Sequence, residues 1–186
     1  MFDKAYTFHL VDHKTMPDGA VLESWMYVFK TIRRRYVVRI ERYQGDIYAI
    51  KYYANCHSAC KNKYGLLLHD EQPAPIIRTC INIMLTIFAD NPQASFGFVG
   101  SHSVNKKKNG AVVPEGKENT QRFRVYQTLM FNFFGTETFE HSQSVEHSAY
   151  LLINRAKQPI EAFKVGAEKM FREQYIELDG EEEGNV

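Results

Sequence analysis

The sequence predicts an α/β fold in the mixed α+β sense, a central mixed sheet flanked by helices. Three observations lead there. A block rich in β-branched and aromatic residues runs from Ser24 to Ala54. A helical pattern over Ile76–Ala89 then leads into an almost continuous apolar strand, Ala94–Gly100. Another helix, a hairpin and a last helix complete the chain, and strands on either side of helical crossovers make a layered fold.

Each element has its own warrant. Tyr6–Val11 reads as a short strand, followed by a turn at Met16-Pro-Asp-Gly19. Trp25–Ile32, Tyr36–Arg42 and Asp46–Ala54 read as three strands of a meander. A two-residue loop between the last two would set Val38 opposite Lys51. A three-residue loop, Tyr43-Gln44-Gly45 with Gly45 left-handed, is preferable. It pairs Tyr36 with Tyr52, Val38 with Ile50 and Ile40 with Tyr48, brings Arg42 to Asp46, and leaves Arg39, Glu41 and Lys51 on the other face.

In the first long helix Ile77, Cys80, Ile81, Met84, Ile87 and Phe88 recur at helical spacing, with Arg78 and Asn82 opposite. Pro73 and Pro75 lie where a helix start tolerates proline, and Asn91-Pro92 stops it. The run Ala94–Gly100 suits a strand covered on both faces. Val104–Lys117 reads as a polar, lysine-rich loop. Thr120–Phe134 is the second helix, with Phe123, Tyr126, Met130 and Phe133 on one face and Gly135 as its cap. Thr136–His141 and Ser148–Asn154 form a hairpin pair, and Pro159 opens a last helix with Ile160, Phe163, Ala167, Met170 and Phe171 as its stripe.

The 186 residues suit a single domain, residues 1–176, with 177–186 as an acidic tail expected to be disordered. The tail holds five acids, so 23 basic and 17 acidic residues, net +6, remain on the body. No apolar run approaches ~18 residues, which argues against a membrane span. The N-terminus lacks a signal pattern, and three cysteines are too few and odd for a disulfide framework. The expected compartment is the cytoplasm.

The stretch Phe96-Gly-Phe-Val-Gly100 followed by Asn119-x6-Tyr126 and Met130-Phe131 carries a family resemblance. With the element order from the second strand onward, it resembles the GNAT N-acyltransferase fold over about residues 24–154. Members of that family often show Asn-x-x-Ala-x-x-x-Tyr and a Gly-Phe pair at the helix exit. The resemblance implies Tyr126 as general acid, Asn119 near the cofactor, and strand residues Phe98 and Gly100 beside an acyl-CoA. This chain departs from the pattern at Arg122, in the alanine position, and at the phosphate loop. The loop's glycines are replaced by Gln72-Pro-Ala-Pro75-Ile-Ile77, a poor cradle for coenzyme A. The pattern is also similar to that of uncharacterised bacterial proteins.

Tyr126 has a plain reading as a core tyrosine, which outweighs the catalytic one. Lys106, Lys107, Lys108, Lys117, Arg122 and Arg124 against Glu115 and Glu118 make 104–124 a candidate phosphate-binding segment, for nucleic acid or a nucleotide, or else a solvated loop. Arg33-Arg34-Arg35 is a second cluster. Glu41 reads as a solvated strand carboxylate before a general base. Cys56-His57-Ser-Ala-Cys60 with His69 is a weak zinc pattern, and His141 and His147 are expected to face solvent, so no metal is assigned. The leading expectation is a non-catalytic GNAT-like protein binding a phosphate-bearing partner, with no cofactor. The alternatives are an N-acyltransferase holding acyl-CoA atypically, and a protein-interaction module using Phe131–Phe134 and the aromatic hairpin.

Overall fold

The β-branched and aromatic runs do form strands, and their alternation divides the molecule into two faces. The computed structural model describes residues 4–16, 18–61, 63, 64, 66, 73–99, 104–106, 112–114 and 118–174. In chain order the elements are β1 (Phe8–Thr15), β2 (Glu23–Lys30), β3 (Arg35–Tyr43), β4 (Ile47–Ala54), a 3-10 turn (Asn55–His57), α1 (Pro73–Asp90), β5 (Ser95–Val99), β6 (Val104–Lys106) and β7 (Val112–Pro114). There follow α2 (Gln121–Phe133), β8 (Phe139–Ser144), β9 (Ala149–Asn154) and α3 (Ile160–Gln174). A seven-stranded mixed sheet has the order β1-β2-β3-β4-β5-β9-β8, and β6 pairs with β7 in a separate ribbon. The expected α/β architecture is therefore present.

Only β4 and β5 run parallel in the large sheet, because α1 is the crossover between them. Their pairing covers just Ile47↔Ser95, Tyr48↔Phe96 and Ala49↔Gly97. Past Gly97, β5 continues to pair with β9, through Phe98↔Tyr150 and Val99↔Ala149, and among the described residues it has no further pair with β4. The two strands thus part, leaving a wedge beside the C-terminal half of β4.

One face carries the main core. Tyr36, Val38 and Ile40 of β3 and Tyr48, Ile50 and Tyr52 of β4 lie there with Phe96, Phe98, Ile77, Cys80, Ile81, Met84, Phe123, Tyr126 and Met130. On the other face α3 lays Ala167 and Phe171 against Tyr43, Ile47, Ala49, Leu151 and Ile153. A smaller group, Val28, Val37 and Tyr53, is covered by Tyr64.

Four expectations need correction. The β3–β4 register is Val38↔Tyr52 and Ile40↔Ile50, two residues from the one derived. The loop is Gln44-Gly45-Asp46, with both Gly45 and Asp46 left-handed at φ 77° and 58°. An aspartate tolerates that region better than most residues, so the three-residue turn sits one position later, with Tyr43 paired to Ile47. A slip of two preserves side-chain parity, so every residue keeps its predicted face, and Arg42 still meets Asp46 at 3.6 Å. The first strand lies later than expected, at Phe8–Thr15, because its partner β2 reaches back to Glu23. The 104–117 segment contains a short ribbon rather than loop alone. On α2, Leu129 is buried and Phe133 is exposed on the rim, under the Arg78 guanidinium at 3.9 Å.

Gly97 is where α3 meets the sheet: a Cβ built there would lie 1.9 Å from the Phe171 ring. A methyl group cannot be admitted without moving a buried ring. Gly97→Ala is expected to cost about 1–3 kcal/mol in urea denaturation, the usual range for overpacking. Unchanged stability would mean that α3 shifts freely on the sheet.

Candidate functional site

The wedge between β4 and β5 brings together three of the residues that the sequence singled out, Phe98, Arg122 and Tyr126. Asn119 is left-handed at φ 49°, a conformation that asparagine tolerates, and its N–H donates to the Val145 carbonyl at 3.1 Å. Thr120 then caps α2: its Oγ1 accepts from the Phe123 N–H, and its own N–H donates to Ser148 Oγ at 3.0 Å. The start of α2 is thereby tied to the β8–β9 turn. The helix is oriented so that Arg122, Phe123 and Tyr126 point at the sheet.

Tyr126 packs on Phe98 with ring centroids 5.0 Å apart, and it shares a hydrogen bond with Tyr52 of β4. Burial, then the neighbouring Tyr52 hydroxyl, hold the Tyr126 phenol well above the ordinary tyrosine value. Burial likewise pushes the Cys80 thiol, across the wedge on α1, up to about 12. Both groups stay protonated at neutral pH.

Arg122 is turned inward, only 6% exposed. Its guanidinium lies over the Tyr52 ring at 4.9 Å and donates to the backbone carbonyls of Tyr64 and, at 3.1 Å, Leu66. Tyr52 and Tyr53 face opposite sides of β4, yet the Tyr64 ring packs edge-on against Tyr53 on the far side. The backbone at Tyr64 therefore passes alongside β4, where β5 has turned away. Arg122 thus holds the Tyr64 and Leu66 carbonyls beside Tyr52.

Other candidate residues lie elsewhere. Arg124 is exposed and donates to the Asn119 carbonyl. Lys106 lies on β6, while Gly100, Lys107, Lys108, His69, Gln72 and the 177–186 tail fall outside the described residues. Cys56 and Cys60 are exposed free thiols, and no group of three or more potential metal ligands occurs among the described residues. Of the aromatic exit, Phe131 is exposed and Phe134 buried. None of the helices among the described residues is long and apolar enough to cross a membrane.

The start of α1 does not suit a pyrophosphate. Pro73 and Pro75 have no N–H, Pro75's carbonyl takes the Thr79 hydroxyl at 2.8 Å, and Ile76 and Ile77 are buried in the core. The described start of α1 therefore offers no glycine-lined row of N–H groups of the kind that cradles a pyrophosphate.

Two polar side chains differ from expectation. Glu41 is not a solvated carboxylate: it is 7% exposed and accepts from Lys51 at 2.7 Å and from the Tyr43 hydroxyl at 3.0 Å, with Arg39 at 3.2 Å. Its neighbours on the strands are covered by Tyr64 at one end and α3 at the other, which sequence alternation could not reveal. His141 is half-buried, with Nδ1 2.7 Å from the Tyr150 hydroxyl. Sequence reading missed Tyr52, Cys80 and the Tyr64 and Leu66 carbonyls as companions of Arg122; Tyr52 and Cys80 were signalled only by a place on the apolar face.

Comparison with protein-family models, with curated proteins and with solved structures finds no match. The site must be interpreted on its own geometry.

Arg122→Ala would strand two carbonyls, so it is expected to lower stability by about 2–3 kcal/mol, whereas Arg124→Ala should stay within about 0.5 kcal/mol. Equal effects in chemical denaturation would place Arg122 at the surface. Burial acts to raise the Glu41 carboxyl, but the charge and hydrogen bond of Lys51, the Tyr43 hydroxyl and the Arg39 charge outweigh it. Its folded value thus lies below the ordinary one. The stability it contributes is present above an unfolded value of about 4.3 and is lost as pH falls through the lower folded value. The stability gap between wild type and Glu41→Gln should therefore shrink on acidification below about pH 5. A gap that is flat with pH would deny the carboxylate this role.

Proposed function

We propose that this chain is a non-catalytic binding protein of GNAT-like architecture, and that its partner carries phosphates, as a nucleic acid or a nucleotide does. The observation that carries this reading is the inward Arg122. Bound to the Tyr64 and Leu66 carbonyls and lying on Tyr52, its guanidinium is committed to the protein's own backbone beside Tyr126's partner, which favours a structural over a catalytic role for this corner. The order β1-β2-β3-β4-β5-β9-β8, with its parting parallel pair, supports the architectural part.

The basic surface supports the choice of partner. Lys30, Arg33 and Arg35 are exposed at the β2–β3 turn. The Arg34 guanidinium reaches Cys56 Sγ at 3.7 Å, which brings the turn next to the segment carrying Lys61 and Lys63. Lys63 lies over the Tyr53 ring at 4.7 Å, so a cation and aromatic faces occur together. Phosphates are held mainly by such charge, and the affinity is accordingly salt-dependent.

A second reading, an N-acyltransferase with Tyr126 as proton donor, keeps one observation on its side: the Tyr126 phenol retains its proton and stands where β4 and β5 part.

One titration series separates them. A labelled single-stranded oligonucleotide of mixed sequence is expected to bind, with log affinity falling against log salt by roughly 0.7 per neutralised phosphate. Replacing Arg33 and Arg35, or Lys106, Lys107 and Lys108, by alanine should weaken it and flatten the slope. Absent or salt-insensitive binding would remove the proposal. Acetyl-CoA binding, with turnover lost in Tyr126→Phe, would favour the enzyme instead.

A further inference from the structure

On the face opposite the wedge, α3 does not close fully onto the sheet. A cavity of about 260 Å³ remains between α3 and the β8–β9 hairpin. Its cause is the size of the floor residues. Ser142↔Leu151 and Ser144↔Ala149 are directly opposed pairs, so all four point to the same side of the hairpin. Deeper in, Leu151 and Phe171 fill the space beneath α3, but Ser144 and Ala149 are too small to do so.

The walls are polar and carry both signs of charge. Glu168, Phe171 and Arg172 stand at i, i+3 and i+4 on α3 and so share a face. His147 approaches from the hairpin turn. Glu168 accepts from Ser142 Oγ at 3.2 Å, which fixes the carboxylate toward the cavity. Among the described residues, neither Arg172 nor His147 has a hydrogen-bond or ion-pair partner. Two nitrogen-bearing side chains thus converge with one oriented carboxylate over a small apolar base. Concavity with a few convergent polar groups is the ordinary make-up of a ligand site.

We propose that this cavity binds a free α-amino acid. The ligand carboxylate pairs with Arg172, whose planar fork suits a two-oxygen acceptor, and His147 lies beside it. The ammonium pairs with Glu168, and the side chain rests on Leu151 and Phe171. The volume lies just below the ~300–1,000 Å³ of drug-sized pockets, which suits an amino acid and not a nucleotide. The site is separate from the phosphate-binding surface and does not depend on that reading.

The test is calorimetry of the full chain with each of the twenty L-amino acids, with the corresponding decarboxylated amines, and with inorganic phosphate. At least one amino acid is expected to bind one-to-one. Its amine should bind at least tenfold more weakly, the factor that about 1.4 kcal/mol represents. Arg172→Ala should weaken binding by a similar factor with the thermal transition unchanged, since Arg172 is exposed. Ala149→Leu should abolish binding by filling the floor; should it fail to fold, Glu168→Gln tests the opposite pole. No binding of any amino acid into the millimolar range, or binding unaffected by Arg172→Ala, would overturn the proposal. Phosphate binding alone, lost in Arg172→Ala, would overturn it too, leaving a bare anion site.

Discussion

The parting of β4 from β5 is the constraint on which the rest of this molecule depends. A strand that loses its neighbour presents unpaired backbone groups, and buried backbone groups must be satisfied somehow. Here a side chain meets two backbone carbonyls beside β4. Arg122 of α2 binds the carbonyls of Tyr64 and Leu66 with a guanidinium that also lies over Tyr52. A helix, a strand and a connecting segment are thereby joined at one charged group. The tie holds α2 on the sheet and keeps Tyr126 and Cys80 away from water, which is why both resist ionisation.

The second face works by a different balance. Apolar clusters beneath α3 and beneath Tyr64 flank a strip where Arg39, Glu41 and Lys51 stand among β3 and β4. Removing a carboxylate from water is costly, and two cations with a hydroxyl offset the cost. Such an arrangement also opposes register errors. A one-residue slip of β4 would carry Lys51 into the main core and Tyr52 out of it.

Function reads differently on these two faces. On the α1 and α2 side, polar groups are engaged with one another and with the backbone. On the α3 side, small residues leave space, and two nitrogen-bearing side chains have no hydrogen-bond or ion-pair partner among the described residues. At the β2–β3 turn, cations are exposed beside the 3-10 segment. Chemistry that requires access is therefore better placed away from the wedge, although the wedge holds the motif residues that the sequence made conspicuous.

Local pattern by itself determined the element types and the faces. Alternation put Val38, Ile40 and Ile50 in the core, and the 3.6-residue repeat did the same for Ile77, Cys80 and Met84. These depend on near neighbours in the chain, and even a two-residue error in the β3–β4 register left the parity intact. Tertiary structure alone decided the direction of Arg122, the burial of Glu41 and the cavity under α3. Each rests on contacts between residues far apart in sequence: Arg122 with Tyr64, Glu41 beneath a covering segment, Glu168 with Ser142. A charged side chain carries no local sign of whether water or a carbonyl will meet it, because its environment is supplied by packing between elements.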